Sequence, residues 1–92
     1  MLEATLKIIN PLGLHARAAA QLVHLSVRFQ SRITIERADN GMSADAKSIL
    51  SVLSLAAPAG TEIHLRADGQ DEEKAFEAIS ELFQKGFGDL IQ

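Results

Sequence analysis

The 92-residue sequence contains no cysteine, no excess of basic residues and no long apolar run. Without cysteine, disulfide bonds and thiol chemistry are excluded, and a reducing compartment fits the composition. Twelve acidic against nine basic residues give a net charge of −3, whereas a nucleic-acid-binding domain usually carries a basic surface. No stretch approaches the ~18 apolar residues of a membrane span, and the first residues lack the features of a signal peptide. We therefore expect a cytoplasmic protein that neither binds nucleic acid nor inserts into a membrane.

The pattern of apolar residues predicts one α+β domain over residues 1–92. Alternation of apolar and polar residues predicts strands, and apolar residues at three-to-four spacing predict helices. The predicted order β-α-β-β-α-β-α implies an open-faced β-sandwich, in which a four-stranded antiparallel sheet carries three helices on one face. The predicted strands are Leu2–Ile9, Arg32–Arg37, Met42–Ala46 and Glu62–Ala67, and the predicted helices are Ala16–Phe29, Ile49–Leu55 and a last one that starts with the acids 71–73 and is capped by Gly86.

The run Gly13-Leu14-His15-Ala16-Arg17 places a histidine directly before a strongly helix-forming segment. There the backbone N–H groups of Ala16 and Arg17 have no helical acceptor, and an anion beside them gains about 0.3–1 kcal/mol from the helix dipole. The Arg17 guanidinium offers a planar set of donors for phosphate oxygens, and a neutral imidazole can act as a nucleophile. These features predict a phosphohistidine site. A capping or exposed histidine beside a solvated arginine is the alternative.

The same run resembles the active-site motif of the HPr family, the phosphocarriers of the bacterial phosphotransferase system. Residues 47–55, KSILSVLSL, resemble the second signature of that family, and residues 59–63 also match. The resemblance implies that His15 accepts a phosphoryl group on its δ nitrogen from phosphorylated Enzyme I and passes it to a IIA-type protein. It implies that Arg17 steadies the phosphoryl oxygens, and that the protein is a transfer intermediate that works with partner enzymes and needs no cofactor.

A carrier that serves several partners needs a docking surface beside its histidine. The resemblance implies an apolar patch there, and burial in the core is the alternative interpretation for the same residues. For Val52 and Leu55 we favour the core. An exposed apolar patch with a polar rim is typical of a protein interface, and the candidate members are Ala20, His24, Ile49, Leu50 and Leu53.

Ser48 matches the serine that a dedicated HPr kinase/phosphorylase modifies in some bacteria. The alternative is an ordinary N-cap serine at the start of the short helix. Two positions depart from the family pattern, because Ala18 replaces the usual proline and Ala56 replaces the usual glycine. Alanine should preserve the first helical turn at position 18, whereas at position 56 it puts the end of the short helix in doubt.

Two other functions remain open at this point. One is a regulatory protein-binding module of the same fold, controlled at Ser48 and without histidine phosphotransfer; the resemblance implies that such modules lack the active histidine. The other is an anion-binding small-molecule module, which would need a deeper pocket. His24 and His64 show no metal-ligand spacing, so we expect no metal site. Residues 82–88 resemble the nitrogen-related branch of the family and residues 46–49 the sugar branch. A monomer is the expected state.

Overall fold

Four strands form one antiparallel sheet in the computed structural model, which describes residues 1–88. Three helices and a final 3-10 turn at Gly86–Gly88 complete the chain order, and the predicted sequence of elements is confirmed. The strands are β1 (Leu2–Lys7), β2 (Arg32–Arg37), β3 (Ser43–Asp45) and β4 (Glu62–Asp68), and the helices are α1 (Ala16–Ser26), α2 (Ile49–Ser54) and α3 (Glu72–Gln84). In space the strands lie in the order β1-β4-β2-β3.

The core lies between the sheet and the helices. β4 pairs with β1 on one side and with β2 on the other, and every second residue of β4 is buried, which confirms the predicted alternation. The opposite face of β4 carries exposed polar side chains such as His64 and Arg66. The helices close the core with the buried side chains of Leu22, Val52, Leu55, Ile79 and Phe83. The prediction that Val52 and Leu55 belong to the core is therefore confirmed.

α1 ends at Ser26, three residues before its predicted end at Phe29. Beyond Ser26 the backbone tightens, because the N–H groups of Arg28 and Phe29 donate to the carbonyls three residues back, each at 3.2 Å. The Phe29 side chain still packs against the core. The apolar stripe therefore continues past the helix, which is why periodicity overestimates its length. β2 has the predicted bounds, and the other boundaries lie within two residues of the predicted ones.

Asp71 joins the start of α3 to the loop between α1 and β2. Its carboxylate accepts the backbone N–H groups of Gln30 and Ser31, each at 2.9 Å, and the Ser31 hydroxyl also donates to it. The Ser31 hydroxyl and the Gln30 amide hold the pKa of Asp71 at about 2, below its ordinary value of 3.8. The Asp71 side chain makes no capping hydrogen bond to α3. Glu72 and Glu73 occupy the first turn of this helix, as predicted.

Ala56 follows α2 in the left-handed backbone conformation, with a φ of 49°. Its N–H donates to the carbonyl of Leu53 at 3.0 Å, and Arg37 Nη1 donates to the carbonyl of Leu55 at 2.8 Å. Both bonds satisfy carbonyls at the end of the helix. The left-handed conformation that glycine usually adopts after a helix is therefore adopted here by alanine, and the Ala56 backbone is strained.

Replacement of Asp71 by asparagine should remove a pH-dependent contribution to stability. Folding favours the ionised carboxylate, so its contribution is complete above pH 3.8 and is lost as the pH falls from 3.8 to about 2. The free energies of unfolding of the native protein and of Asp71→Asn, measured in urea, should therefore converge over this range. Glu73→Gln changes an exposed acid of the same turn and serves as the control. A difference that stays constant across the range would contradict this account.

Replacement of Ala56 by glycine should stabilise the protein. Left-handed backbone costs alanine about 1–2 kcal/mol, and the freer unfolded chain of glycine offsets about 0.4–1 kcal/mol of the gain. We expect the free energy of unfolding to rise by about 0.5–1 kcal/mol in denaturant titrations. Ala59→Gly, in the following loop and without a positive φ, should lower it. Equal effects of the two substitutions would show that the Ala56 backbone is not strained.

Candidate functional site

The loop before His15 is held by the backbone beyond α2. Gly13 has a φ of +67°, and a Cβ atom at this position would lie 2.5 Å from the carbonyl oxygen of Ala57. The next N–H, that of Leu14, donates to the same carbonyl at 2.9 Å. The buried Asn10 side chain donates from Nδ2 to the Gly13 carbonyl at 2.7 Å. These contacts fix the direction in which the chain enters α1.

His15 is the N-cap residue of α1. Its backbone is extended, with φ −75° and ψ 179°, and its carbonyl accepts the Ala19 N–H at 2.8 Å as the first helical bond. Its Nδ1 atom accepts the backbone N–H of Arg17 at 3.2 Å. In the neutral ring the proton then resides on Nε2, and the lone pair of Nδ1 faces the helix start. The ring is half-buried, so it is oriented and still open to solvent.

The first turn of α1 contains a cationic residue two positions after His15. Arg17 is the second helical residue and is exposed, whereas Ala18 is completely buried. The helix begins at Ala16, so alanine at position 18 preserves the first turn as predicted. The capping imidazole, the first backbone N–H groups of the helix and the guanidinium therefore belong to three consecutive residues at the start of α1.

The five candidate docking residues are divided between exposed and half-buried positions. Leu50 is 78% exposed and Ile49 is 38% exposed, although both are large apolar side chains. Leu53 packs partly against the core, whereas Ala20 and His24 are exposed on α1. Since α1 packs against α2, the exposed members lie on neighbouring helices.

The segments that build this face contain no acidic residue. Residues 8–31 and 46–61 include the loop before His15, α1 and α2, and all twelve acidic residues lie elsewhere in the sequence. The lysines and arginines of these segments are Arg17, Arg28 and Lys47. These two segments therefore carry a net positive charge in a protein of net charge −3, which favours the approach of an anionic group or an acidic surface.

Ser48 is the N-cap residue of α2. Its hydroxyl accepts the backbone N–H of Ser51 at 3.3 Å, so the capping interpretation describes its state here. Its neighbour Lys47 donates from Nζ to the carbonyl of Phe29 at 2.6 Å. Lys47 thereby ties the start of α2 to the end of the α1 segment.

Two features of the site escaped the sequence interpretation. The first is the contact between the turn at Asn10–Gly13 and Ala57, which depends on residues distant in the chain. Leu12, at the tip of this turn and three residues before His15, is 66% exposed. An apolar residue next to the Gly-Leu-His run is a signal that could have added Leu12 to the candidate docking residues.

Residues 1–88 contain neither a cluster of metal-ligating side chains nor a helix that could span a membrane. Within this range no three histidine, cysteine, aspartate or glutamate side chains are placed to hold a metal ion. His24 lies on α1 and His64 on the outer face of β4, where its Nδ1 is 3.2 Å from the Thr5 hydroxyl. None of the helices formed by these residues has the length and apolar character needed to cross a bilayer.

The fold defines a small α+β protein in which an accessible histidine caps the first helix. Residues 2–85 match the PTS-HPr family model, described as the PTS HPr component phosphorylation site. The chain belongs to the HPr family of phosphocarrier proteins of the phosphotransferase system.

Relatives of known name agree with this assignment over nearly their full lengths. The phosphocarrier protein HPr of Xylella fastidiosa is 48% identical over 97% of this chain and 98% of its own. An HPr structure from Thermoanaerobacter tengcongensis superposes with a TM-score of 0.90 at 38% identity, covering 99% of this chain and all of the other. Crh of Bacillus subtilis, described as a dimer with domain swapping, matches with a TM-score of 0.72 at 35% identity over all of both chains.

Replacement of Gly13 by alanine should destabilise the site loop more than a comparable change elsewhere. The added Cβ would clash with the Ala57 carbonyl, in addition to the ~1–2 kcal/mol of left-handed strain. Gly60→Ala is the matched control, because Gly60 also has a positive φ but no atom lies within 4 Å of the position that its Cβ would take. We expect Gly13→Ala to lower the free energy of unfolding by at least about 1 kcal/mol more than Gly60→Ala. Equal losses would show that the approach to Ala57 is not tight.

Proposed function

We propose that this chain is a phosphocarrier in which His15 Nδ1 is the atom that carries the phosphoryl group. The supporting observation is the bond from the Arg17 N–H to Nδ1, which leaves Nδ1 unprotonated and directs its lone pair to the start of α1. A nucleophile must have a free electron pair, and neutral imidazole has one only on its unprotonated nitrogen. The cap therefore selects the reacting nitrogen.

The transfer exchanges one phosphorus–nitrogen bond for another. The lone pair of Nδ1 forms a bond to phosphorus while the bond from phosphorus to the donor's nitrogen breaks, and the donor keeps that electron pair. As the phosphoryl group arrives, its oxygens take over the Arg17 N–H and approach the Ala16 N–H at the positive end of the helix dipole. Delivery to an acceptor histidine is the same step in reverse. Since donor and acceptor bonds are alike, positioning and charge stabilisation are the main contributions of the protein.

Arg17 supplies the mobile positive charge of this site. Its guanidinium can give parallel hydrogen bonds to phosphoryl oxygens, which lysine cannot do with the same geometry. Its position in the first helical turn, two residues after His15, allows the side chain to reach a phosphoryl group on Nδ1. The backbone amide groups are preorganised for the phosphoryl group by the helix, and the arginine side chain can adjust to its oxygens.

The partners are phosphorylated Enzyme I as donor and IIA-type proteins as acceptors, in the cytoplasm. Both must reach the same Nδ1 atom, so both use the surface around His15. The exposed Leu50 and Ile49 offer apolar contact there, and the acid-free segments attract a partner surface of negative charge. The presence of His15 in a capping geometry favours this function over a regulatory module without phosphotransfer.

Phosphorylation of Ser48 is the proposed means of regulation. A phosphate on this hydroxyl adds a charge of about −1.5 to −2 at the start of α2. It would take the place of the hydroxyl that now accepts the Ser51 N–H. The added charge would weaken binding of an acidic partner while leaving His15 chemically intact.

Incubation with phosphoenolpyruvate and Enzyme I should add one acid-labile phosphate to the native protein. His15→Ala should gain none, since it removes the proposed nucleophile. Intact mass before and after mild acid measures both the gain and its lability. His64→Ala, on the outer face of β4, is the matched control and should be labelled fully. Labelling of His15→Ala, or no labelling by either a sugar-type or a nitrogen-type Enzyme I, would contradict the proposal.

Introduction of a negative charge at Leu50 should slow transfer without unfolding the protein. Because Leu50 is 78% exposed, Leu50→Glu should leave the stability nearly unchanged and lower the second-order rate of phosphoryl transfer at least about tenfold, as at a protein interface hot spot. Ser43→Glu adds the same charge on β3, outside the docking residues, and should have little effect. Equal rates for the two variants would exclude Leu50 from the interface.

A further inference from the structure

The amide side chain of Asn10 is completely buried in the loop between β1 and His15. A buried amide lowers the stability of a fold unless its polar atoms are hydrogen-bonded. Asn10 donates from Nδ2 to the carbonyl of Gly13 at 2.7 Å, and its own backbone carbonyl accepts the Gly13 N–H at 3.1 Å. The side chain and the main chain of Asn10 therefore both bond to the glycine that precedes Leu14 and His15.

The peptide group that joins Gly13 to Leu14 is held from two sides. Its carbonyl accepts the Asn10 bond, and its N–H donates to the carbonyl of Ala57 at 2.9 Å. The carbonyl and the N–H of a trans peptide group point in opposite directions. A half-turn of this group would bring its carbonyl toward the Ala57 carbonyl and its N–H toward the Asn10 donor. Two hydrogen bonds would then become two contacts between like groups.

This peptide group needs support from outside because glycine does not restrict it. Gly13 has a φ of +67°, and glycine populates positive and negative φ about equally well. The bond to Ala57 fixes the N–H of the group, and the Asn10 amide fixes its carbonyl. The orientation of the Gly13–Leu14 peptide group therefore depends on Asn10.

The His15 ring responds to this orientation because it belongs to the next residue of the chain. Its Nδ1 accepts the Arg17 N–H at 3.2 Å, at the long end of the range for such bonds. A small displacement of the ring would break this bond and allow the ring proton to occupy either Nδ1 or Nε2. A misplacement of about 1 Å can slow a positioned reaction about a hundredfold.

We infer that Asn10 is a positioning residue for phosphoryl transfer, because it orients the Gly13–Leu14 peptide group and, through it, the His15 ring. The inference rests on the proposed function of His15. Asn10 is buried and bonded to Gly13, so it acts on the reaction through the backbone. An amide suits this position because it donates a hydrogen bond without bringing a charge into the core.

Substitutions that keep the branched shape of Asn10 and remove its donor test this role. Asn10→Asp places an oxygen where Nδ2 now donates, and Asn10→Leu places a methyl group there. Ser31→Ala is the matched control, because it removes the hydrogen bond of another buried polar side chain in a loop. Ser31 donates to Asp71 and lies beyond the opposite end of α1 from His15. Thermal melts of all four proteins verify folding and measure the loss of stability in each variant.

Phosphoramidate is the probe, because it is a small phosphorus–nitrogen donor that needs no protein partner. Its phosphorus–nitrogen bond breaks as the bond from Nδ1 to phosphorus forms, and ammonia leaves with the electron pair. NMR of protein labelled with 15N in its imidazole rings reports the His15 tautomer before the reaction and the phosphorylated nitrogen afterwards. The rate at His64, exposed on β4, is the internal reference in every protein.

Both Asn10 variants should populate the two neutral tautomers of His15. They should also react at His15 at least about tenfold more slowly relative to His64, because the ring is no longer held at the start of α1. Ser31→Ala should keep the native tautomer and the native rate even if its melting temperature falls. Native behaviour of the folded Asn10 variants, or an equal loss in Ser31→Ala, would overturn the inference. A native protein that gains no phosphate at His15 would instead refute the proposed function itself.

Discussion

The approach of the Gly13 backbone to Ala57 is the constraint on which the reactive end of α1 depends. The loop that follows β1 meets the segment that follows α2 at a distance that no side chain at position 13 would permit. Leu14 is fixed by its bond to the same carbonyl, and His15 comes next. The loop that carries the histidine motif therefore meets the segment just after the second motif, and Ala57 of that segment supports it.

A carrier must combine exposure with preorganisation. Its nucleophile has to be reached by large partners, so the site cannot be enclosed, and it gains little from a low-dielectric environment. The helix start solves this problem with backbone groups, which are fixed by the fold before any partner arrives. The absence of acids from the surrounding segments adds a favourable field that extends beyond the site. Within residues 1–88 the acids instead lie in the sheet, its turns and α3, and Asp71 joins the start of α3 to the loop before β2.

Much of this fold could be predicted from periodicity, because each strand and helix has one buried face. The alternation in β4 and the stripe of α3 each specify an element and its orientation. The exposure of Leu50 and the burial of Val52 were also predictable, because only one side of a six-residue helix faces the core. The end of α1 was not, because Phe29 continues the apolar stripe while Gln30 and Ser31 bond to Asp71, some forty residues away. The contact between Gly13 and Ala57 also depends on residues distant in the chain. The same is true of the left-handed backbone of Ala56. The local pattern of apolar residues predicts neither feature.

The most direct test of the account is to determine which nitrogen of which histidine carries the phosphoryl group. Protein labelled with 15N in its imidazole rings, phosphorylated enzymatically and observed by NMR, distinguishes Nδ1 from Nε2 and His15 from His24 and His64. The account predicts the proton on Nε2 of His15 beforehand and phosphorus on Nδ1 afterwards, with the Arg17 amide among the resonances that shift most. Phosphorus on Nε2, or an Arg17 amide that does not respond, would contradict the claim that the helix cap selects the reacting atom.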